Sequence, residues 1–572
     1  MPRKVLWLLL LTFSLIGIAV CWSGWRATQV RSDLAAAQTL ASSARQHLSA
    51  GDLTAAAAIW PELQRDSDRA AGRTSGPLWT LAEQVPGVGG TFRVVRRTAL
   101  AAQLVGAGLQ PVVQTASGLS QGDHFFRGGQ VNLAAVGQLA AGVTKAARAA
   151  EQAQALLQQP AGWVPGAVRA RVSQAGTAIA AVTGGLHAGE RTLSLLPQML
   201  GKTGPRRYFV AVQNGAEARA TGGLIGAFAV ITATDGKITL TQAGTDNDLT
   251  VAAAPVASDP GAARTWTEIG STRAWFDANL TPHFPDVARN LTGQWSAAGG
   301  GALDGVLALD PLVMSELLGV TGPVTLGDGT TVTQANVREF VGHGEYVQYN
   351  DVAERKRVLA TLATDLFHRV LAVPKPVPLL RAVMTAGRSG HLYLWSAHPA
   401  EQAALGEGLL SGALPTTDRP YLSVLSQNFG GNKLDQYVQR TVTVTGPVAG
   451  FLRVQVTLHN SAPLDLPTYM TVRSDRPAIP VPYGQAKVGL SVYGALSSQV
   501  GGVWVDGQPS PMRFDNDHGH RIGTLSVELP RGRDVTLVVL LSQPPGELTY
   551  RQQPLVSPDQ LRIAVPHRIV GR

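Results

Sequence analysis

Arg206 to Leu249 reads RRYFVAVQNGAEARATGGLIGAFAVITATDGKITLTQAGTDNDL. The apolar run Tyr208 to Val212 predicts a buried strand. It gives way to a polar, glycine-bearing turn with Gln213, Asn214, Glu217, Arg219, Gly222 and Gly223. A second apolar run, Leu224 to Ile231, precedes Asp235-Gly236, a strong short hairpin signal, and a third strand, Lys237 to Thr241. Charged groups therefore crowd a turn between buried strands. One reading is a solvated loop holding a Glu217–Arg219 pair. The other is a ligand site: paired glycines let backbone approach a ligand closely, and strand-end loops are where sites concentrate.

The pattern Q-N-x-x-E-x-R-x-T-G-G, a G-x-hydrophobic strand and D-G-K-I-T-L resembles a bacterial envelope family known as domain of unknown function 4012. The resemblance continues through Phe284-Pro285-Asp286, Asp304-Gly305-Val306, Asp310-Pro311, Thr321-Gly322-Pro323-Val324 and Asn432-Lys433-Leu434-Asp435-Gln436-Tyr437. It spans roughly 205–437 and implies an envelope location with no stated activity.

More loosely, the order of elements is similar to the LytR–CpsA–Psr transferases, which move glycopolymers from a polyprenyl pyrophosphate lipid onto the cell wall. That resemblance implies catalytic roles for Arg219, Asp246, Asp248, Arg355 and Arg357. The strand-end turn itself, with its paired glycines, makes Gln213, Asn214, Glu217, Gly222 and Gly223 the ligand-binding candidates, and Mg²⁺ is the ion that phosphoryl chemistry there would use. Arginine forks suit a pyrophosphate, and one or two carboxylates suit Mg²⁺. The chain departs from the transferase pattern in lacking a Pro-Arg-Asp triplet: Asp246-Asn247-Asp248 has no arginine, and Gly222-Gly223 replaces an acidic pair. The alternative is that Glu217–Arg219 is structural and residues 354–357 a solvated helix face.

The 572 residues suit several domains, and 45% apolar with 15% charged residues fits folded protein. A net charge of +9 without a basic block gives no case for nucleic acid. The lone cysteine, Cys21, excludes an intramolecular disulfide. Val5 to Trp22 carries no charge and as a helix would be about 27 Å long, close to a bilayer core. Arg3 and Lys4 precede it, and Trp7, Trp22 and Trp25 sit near its ends as interface anchors do. A single-pass membrane anchor over 1–25 with the bulk of the chain extracytoplasmic is the expectation. A cleaved signal peptide and a lipidated Cys21 are the alternatives.

The expected fold is multidomain α+β. Residues 26–200, rich in Ala, Leu, Gln and Arg, predict a helical stalk or bundle, with helices near 30–48, 53–69, 92–119, 130–159 and 167–196. Residues 205–430 alternate strands and helices, an α/β sandwich with a mixed sheet. Residues 435–572 change to a period of two, an antiparallel β-sandwich. Gly118-Leu119-Ser120-Gln121-Gly122 matches G-x-S-x-G, with His124 near, but follows a helix where a nucleophile elbow needs a strand. Asp515, Asp517, His518 and His520 group like metal ligands, although their spacing matches no standard site.

Two function classes follow. A glycopolymer-handling protein, with polyprenyl-linked or wall polymer as partner, requires the arginines and aspartates to converge on one phosphate. A non-catalytic structural or scaffolding protein of the envelope requires those charges to pair internally or point apart.

Overall fold

A computed structural model describes residues 22, 25–26, 28–47, 52–121, 125–245, 248–249, 255–374, 376–406, 408, 410–448 and 450–565. They fall into two compact units, one made of Met1–Lys202 with Pro374–Val377, the other of Thr203–Val373 with Pro378–Arg572. Among the described residues no helix is long and apolar enough to cross a membrane. Of the expected anchor over 1–25, residues 1–21, 23 and 24 lie outside them.

The first unit is helical. It holds α1 (28–47), α2 (Leu53–Arg73), α3 (Pro77–Ala82), α4 (Gly89–Gln121), a two-residue-per-strand hairpin β1–β2 (Phe126–Arg127, Gln130–Val131), α5 (Leu133–Gln158) and α6 (Gly166–Met199). Asp52 starts α2 by accepting the Ala55 N–H at 2.9 Å, and Asn132 starts α5 by accepting from Ala134 and Ala135 at 3.1 Å. Alanines form the buried stripe of α5, and a Cβ on Gly108 of α4 would lie 2.6 Å from the Ala149 Cβ, so small residues set how closely α4 and α5 approach. Ser120 continues α4 as far as Gln121, so no strand precedes it, and His124 lies outside the described residues.

The second unit opens with β3 (Arg206–Arg219), β4 (Gly222–Thr234) and β5 (Lys237–Thr245). Short α7 (Arg264–Glu268) and a 3₁₀ turn (Trp275–Leu280) lead to α8 (Phe284–Ala297) and β6 (Gly305–Leu309). Then come α9 (Pro311–Thr321), hairpin β7–β8 (Val324–Thr325, Thr331–Val332), α10 (Val337–Glu339), a π turn (Phe340–Gly344) and α11 (Glu345–Gln348). α12 (Val352–Ala372), α13 (Pro376–Arg388), β9 (Leu392–Ser396) and α14 (Pro399–Leu405) complete the α/β part. Strands β5, β4, β3, β6 and β9 lie in that order in a mixed sheet. β3 and β6 run parallel with Tyr208 opposite Gly305, and the other pairs are antiparallel. Phe209 and Phe228 stack at 5.4 Å on one face of the sheet, and Trp275 and Trp295 meet them edge-on. Asp235 (φ +48°) and Gly236 (φ +83°) form the expected β4–β5 turn, both central residues left-handed.

The sandwich contains β10 (Tyr421–Asn428), β11 (Val438–Val448), β12 (Phe451–Asn460), α15 (Thr468–Thr471), β13 (Ala486–Tyr493), β14 (Val500–Val505) and β15 (Gln508–Pro509). It ends with β16 (Arg513–Asp517), β17 (His520–Leu529), β18 (Asp534–Ser542), β19 (Thr549–Arg551) and β20 (Gln560–Ala564). The two sheets are β16-β17-β13-β10-β19 and β15-β14-β18-β12-β11-β20. Val442, Val444, Val454, Val456, Leu458, Val488, Leu490, Leu537 and Val539 fill the space between them.

Two boundaries differ from the sequence reading. β10, expected in the α/β part, belongs to the sandwich, where it pairs with β13 and β19, so the border falls before 421 instead of after 430. The polar stretch 213–219 is not a loop. β3 continues through it past a register shift at Asn214/Ala218, and Arg219 still pairs with Gly222.

Candidate functional site

The β3–β4 hairpin reaches past the α/β sheet and buries its tip in the sandwich. Ala216, Ala218, Ala220 and Thr221 are all at most 3% exposed. Ala220 packs with Trp266, Tyr421, Leu425, Tyr493 and Ile522. The tip's backbone is claimed from the sandwich side: Gln553 Nε2 donates to Arg219 O at 2.9 Å, and the Ala218 N–H donates to Asp435 at 3.0 Å.

Arg219 sits inside this contact, 6% exposed. Its Nε and Nη2 donate to Asp277 Oδ1 at 2.9 and 2.8 Å, and Nη2 also reaches Glu217 Oε1 at 2.9 Å. Nη1 points at the carbonyls of Ala218 (3.2 Å) and Asn428 (3.4 Å). Every nitrogen of the guanidinium therefore has a protein acceptor. Glu217 also takes Lys433 Nζ on its second oxygen. Burial alone would raise the Glu217 carboxyl, but Lys433 and Arg219 hold it below its ordinary range. Asn428 completes the cluster, donating to Asn432 Oδ1 at 3.1 Å and Asp435, and accepting from Gly430 and Gly431. Asp435, buried beside Glu217, is pushed up to about 6.

The glycines make room for the protein's own atoms, a side chain at Gly222 and backbone at Gly223. At Gly222 (φ +141°) a Cβ would lie 2.0 Å from Gln213 Oε1, and at Gly223 it would lie 1.9 Å from Asn214 O. The space expected for a ligand is occupied by Gln213 and Asn214. Gln213 donates to Thr221 Oγ1 at 3.2 Å, and Asn214 to Val341 O and the Tyr346 hydroxyl at 3.2 and 3.1 Å.

The remaining expected residues lie on other elements. Asp248 is tied to Thr245, accepting from its N–H and hydroxyl at 2.7 Å each, bonds that hold the carboxyl below its usual range. Asp246 lies outside the described residues. Arg355 is buried, donating to Tyr349 O at 2.8 Å under the Tyr469 ring, 4.4 Å from its centroid. Arg357 is exposed and reaches only the Ala353 carbonyl one turn back on α12, at 3.4 Å. Arg219 and Glu217 are thus together, and Arg355 stands apart from them on α12. Burial raises the Glu345 carboxyl to about 8, against the fields of Arg355 and Lys433. The residues missed from sequence are Asp277, Asn428, Lys433, Asp435 and Gln553. Lys433 and Asp435 lie in Asn432–Tyr437, to which only the resemblance read from the sequence extends.

Among the described residues, neither of the two best-formed clefts is lined by Arg219, Glu217 or Lys433. The two best-formed clefts among the described residues each hold on the order of one water. One is lined by Tyr393, Tyr421, Arg551 and Gln553, the other by Asn214, Asp310, Arg338 and His391.

Asp515, Asp517, His518 and His520 each have partners of their own. Asp515 accepts from Thr265, Asp517 from Ala263, Trp266 and Tyr493, and His520 spans the carbonyls of Gly494 and Pro415. His518 instead meets His283 and Asp286, bonding Asp286 Oδ2 at 2.7 Å. The two imidazoles stack at 3.9 Å with planes 25° apart, so their in-plane lone pairs run side by side instead of converging on one point about 2 Å from both. His283 Nδ1 already accepts the Leu414 N–H at 3.0 Å, and Arg289 holds Asp286. The trio is a second clasp between α8 and the β16–β17 turn, not a centre with converging lone pairs.

Nothing among the curated proteins or the solved structures matches the chain. Residues 203–346, from just before β3 to Tyr346 of α11, match the model of the family described as "Protein of unknown function (DUF4012)"; the match supports assigning this segment to that family and stops short of the expected 205–437.

Proposed function

We propose that this chain is a non-catalytic scaffolding protein of the cell envelope, held at the membrane by its N-terminal apolar run with its bulk extracytoplasmic. In this reading the polar residues around Arg219 lock the α/β sheet to the β-sandwich. The carrying observation is that all donors of Arg219 are spent on Asp277, Glu217 and two backbone carbonyls, so none remains for a phosphate. A buried arginine with two carboxylates and two carbonyls fixes how segments distant in sequence meet.

A second reading, binding or transfer of polyprenyl-pyrophosphate-linked glycopolymer with Mg²⁺, draws on the looser likeness to the LytR–CpsA–Psr transferases. One observation favours it: Arg355 Nη2 and Glu345 Oε2 are buried without a protein partner among the described residues. The test is titration of the full chain with polyprenyl pyrophosphate, with and without Mg²⁺, beside Arg219→Ala and Arg355→Ala variants. The scaffolding reading expects no saturable binding. Saturable binding lost in a variant that keeps the wild-type melting temperature would replace it with the second.

A further inference from the structure

We infer that one end of the helical unit is a membrane-seating surface, where exposed apolar side chains and arginines meet an anionic lipid bilayer. This inference rests on the membrane-anchored reading above. α1 lies antiparallel to α2: Val30 packs with Ala70, Trp79 and Ala99, while Ala44 packs with Trp60 and Val113. Arg26 donates to the carbonyl of Arg73 at 3.4 Å, and Arg73 in turn pairs with Asp33 at 2.7 Å. The start of α1 therefore sits beside the end of α2, α3 and the start of α4. The α5–α6 connection is at the same end, because Arg97 of α4 donates to Gln159 O at 2.9 Å and Arg93 to Ala161 O at 3.0 Å.

The large apolar side chains that this unit leaves in solvent collect there. Trp25, Leu78, Leu81, Val85, Val88 and Trp163 are 37–64% exposed, and among the described residues of the unit Val182 alone is a comparable side chain elsewhere. Scattered exposed apolar residues need no explanation, but a group at one end of a helical array does. The sequence says what covers it. The charge-free run Val5–Trp22 joins the helical unit at this end, so a bilayer holding that run would lie against the same surface. Tryptophan is the side chain suited to the interface, apolar in body with one N–H donor. The charge agrees as well. Within 76–100 and 159–175, Glu83 is the single acid against Arg93, Arg96, Arg97, Arg169 and Arg171, a balance attracted to anionic headgroups.

The experiment uses the full chain with Cys21→Ser and one new cysteine, Val88→Cys at this end or Thr54→Cys on the first turn of α2 at the other. Each carries a polarity-sensitive fluorophore. Flotation with phosphatidylcholine–phosphatidylglycerol vesicles is followed by quenching with brominated acyl chains. The expected result is co-flotation of both, with the probe at 88 quenched at least about twofold more than the probe at 54, since α2 separates them by about 30 Å. Co-flotation with equal quenching at both positions overturns the seating surface and leaves the anchor standing. Failure to float overturns the anchor reading and the seating surface with it.

Discussion

Replacing Arg219 by alanine removes the group that holds three segments together. Asp277 loses both of its bonds from the guanidinium, and the carbonyls of Ala218 and Asn428 lose a donor inside the protein. Breaking a buried ion pair from one side costs about 3–5 kcal/mol. Glu217 keeps Lys433, which places this change at the lower end, about 3 kcal/mol. The unit involved has about 370 residues, and at about 2 cal/mol/K per residue its unfolding entropy is near 0.8 kcal/mol/K. The expected fall in melting temperature is therefore about 4 °C, read by differential scanning calorimetry at pH 7. Arg219→Lys keeps the charge but not the fork, and should lie between the two. A melting temperature for Arg219→Ala within about 1 °C of wild type would refute the reasoning, because a structural clasp cannot be removed at no cost.

Other substitutions separate the parts. Glu345 binds its proton more tightly folded (about 8) than unfolded (4.5), so its stabilisation is full below about pH 4.5 and is lost as pH rises to about 8. Glu345→Gln should remove that loss, leaving the variant more stable than wild type by a few kcal/mol at pH 8.5 in chemical denaturation, with the gap closing by pH 5. His283 has the opposite sign. Burial lowers it to about 3, so the wild type loses stability as pH falls from about 6.5 towards 3. His283→Gln should cost stability at pH 7.5 and approach the wild type on acidification, measured by the same unfolding titrations. Gly222→Ala puts a Cβ against Gln213 at φ +141° and should destabilise by about 1–3 kcal/mol, a loss read as earlier thermal unfolding without change in any ligand titration.

The regular elements were legible because local chemistry decides them. Asp52 caps α2 where it stands in the sequence, Asp235-Gly236 turns the hairpin, and Asp310 caps α9 by accepting the Leu312 N–H at 2.9 Å. The period of two from Val442 onward forms the sandwich, but not an all-antiparallel one: β10–β19 and β11–β20 pair parallel, because β19 and β20 return to the sheet edges from distant chain segments. What failed was long-range. Residues 213–219 look like a polar loop because their partners lie elsewhere: Asp277, Asn428, Asp435 and Gln553 satisfy a segment whose own neighbours cannot. Paired glycines read the same whether a ligand or the protein itself approaches, and here the Gln213 side chain and the Asn214 backbone do. β10 could not be assigned to its sheet from its own apolar run, since that depends on β13 and β19. The hairpin β1–β2, two residues per strand, is too short to show a period. His518 was grouped with its sequence neighbours, whereas its contacts are Asp286 and His283.

Native-state hydrogen exchange on the full chain, wild type against Arg219→Met, tests the clasp most directly. The account predicts that the amides of 216–222 and of 428–437 open together, with one shared free energy that falls by about the same amount, roughly 3 kcal/mol, in both segments of the variant. Faster exchange confined to 216–222, with 428–437 as protected as in the wild type, would contradict it.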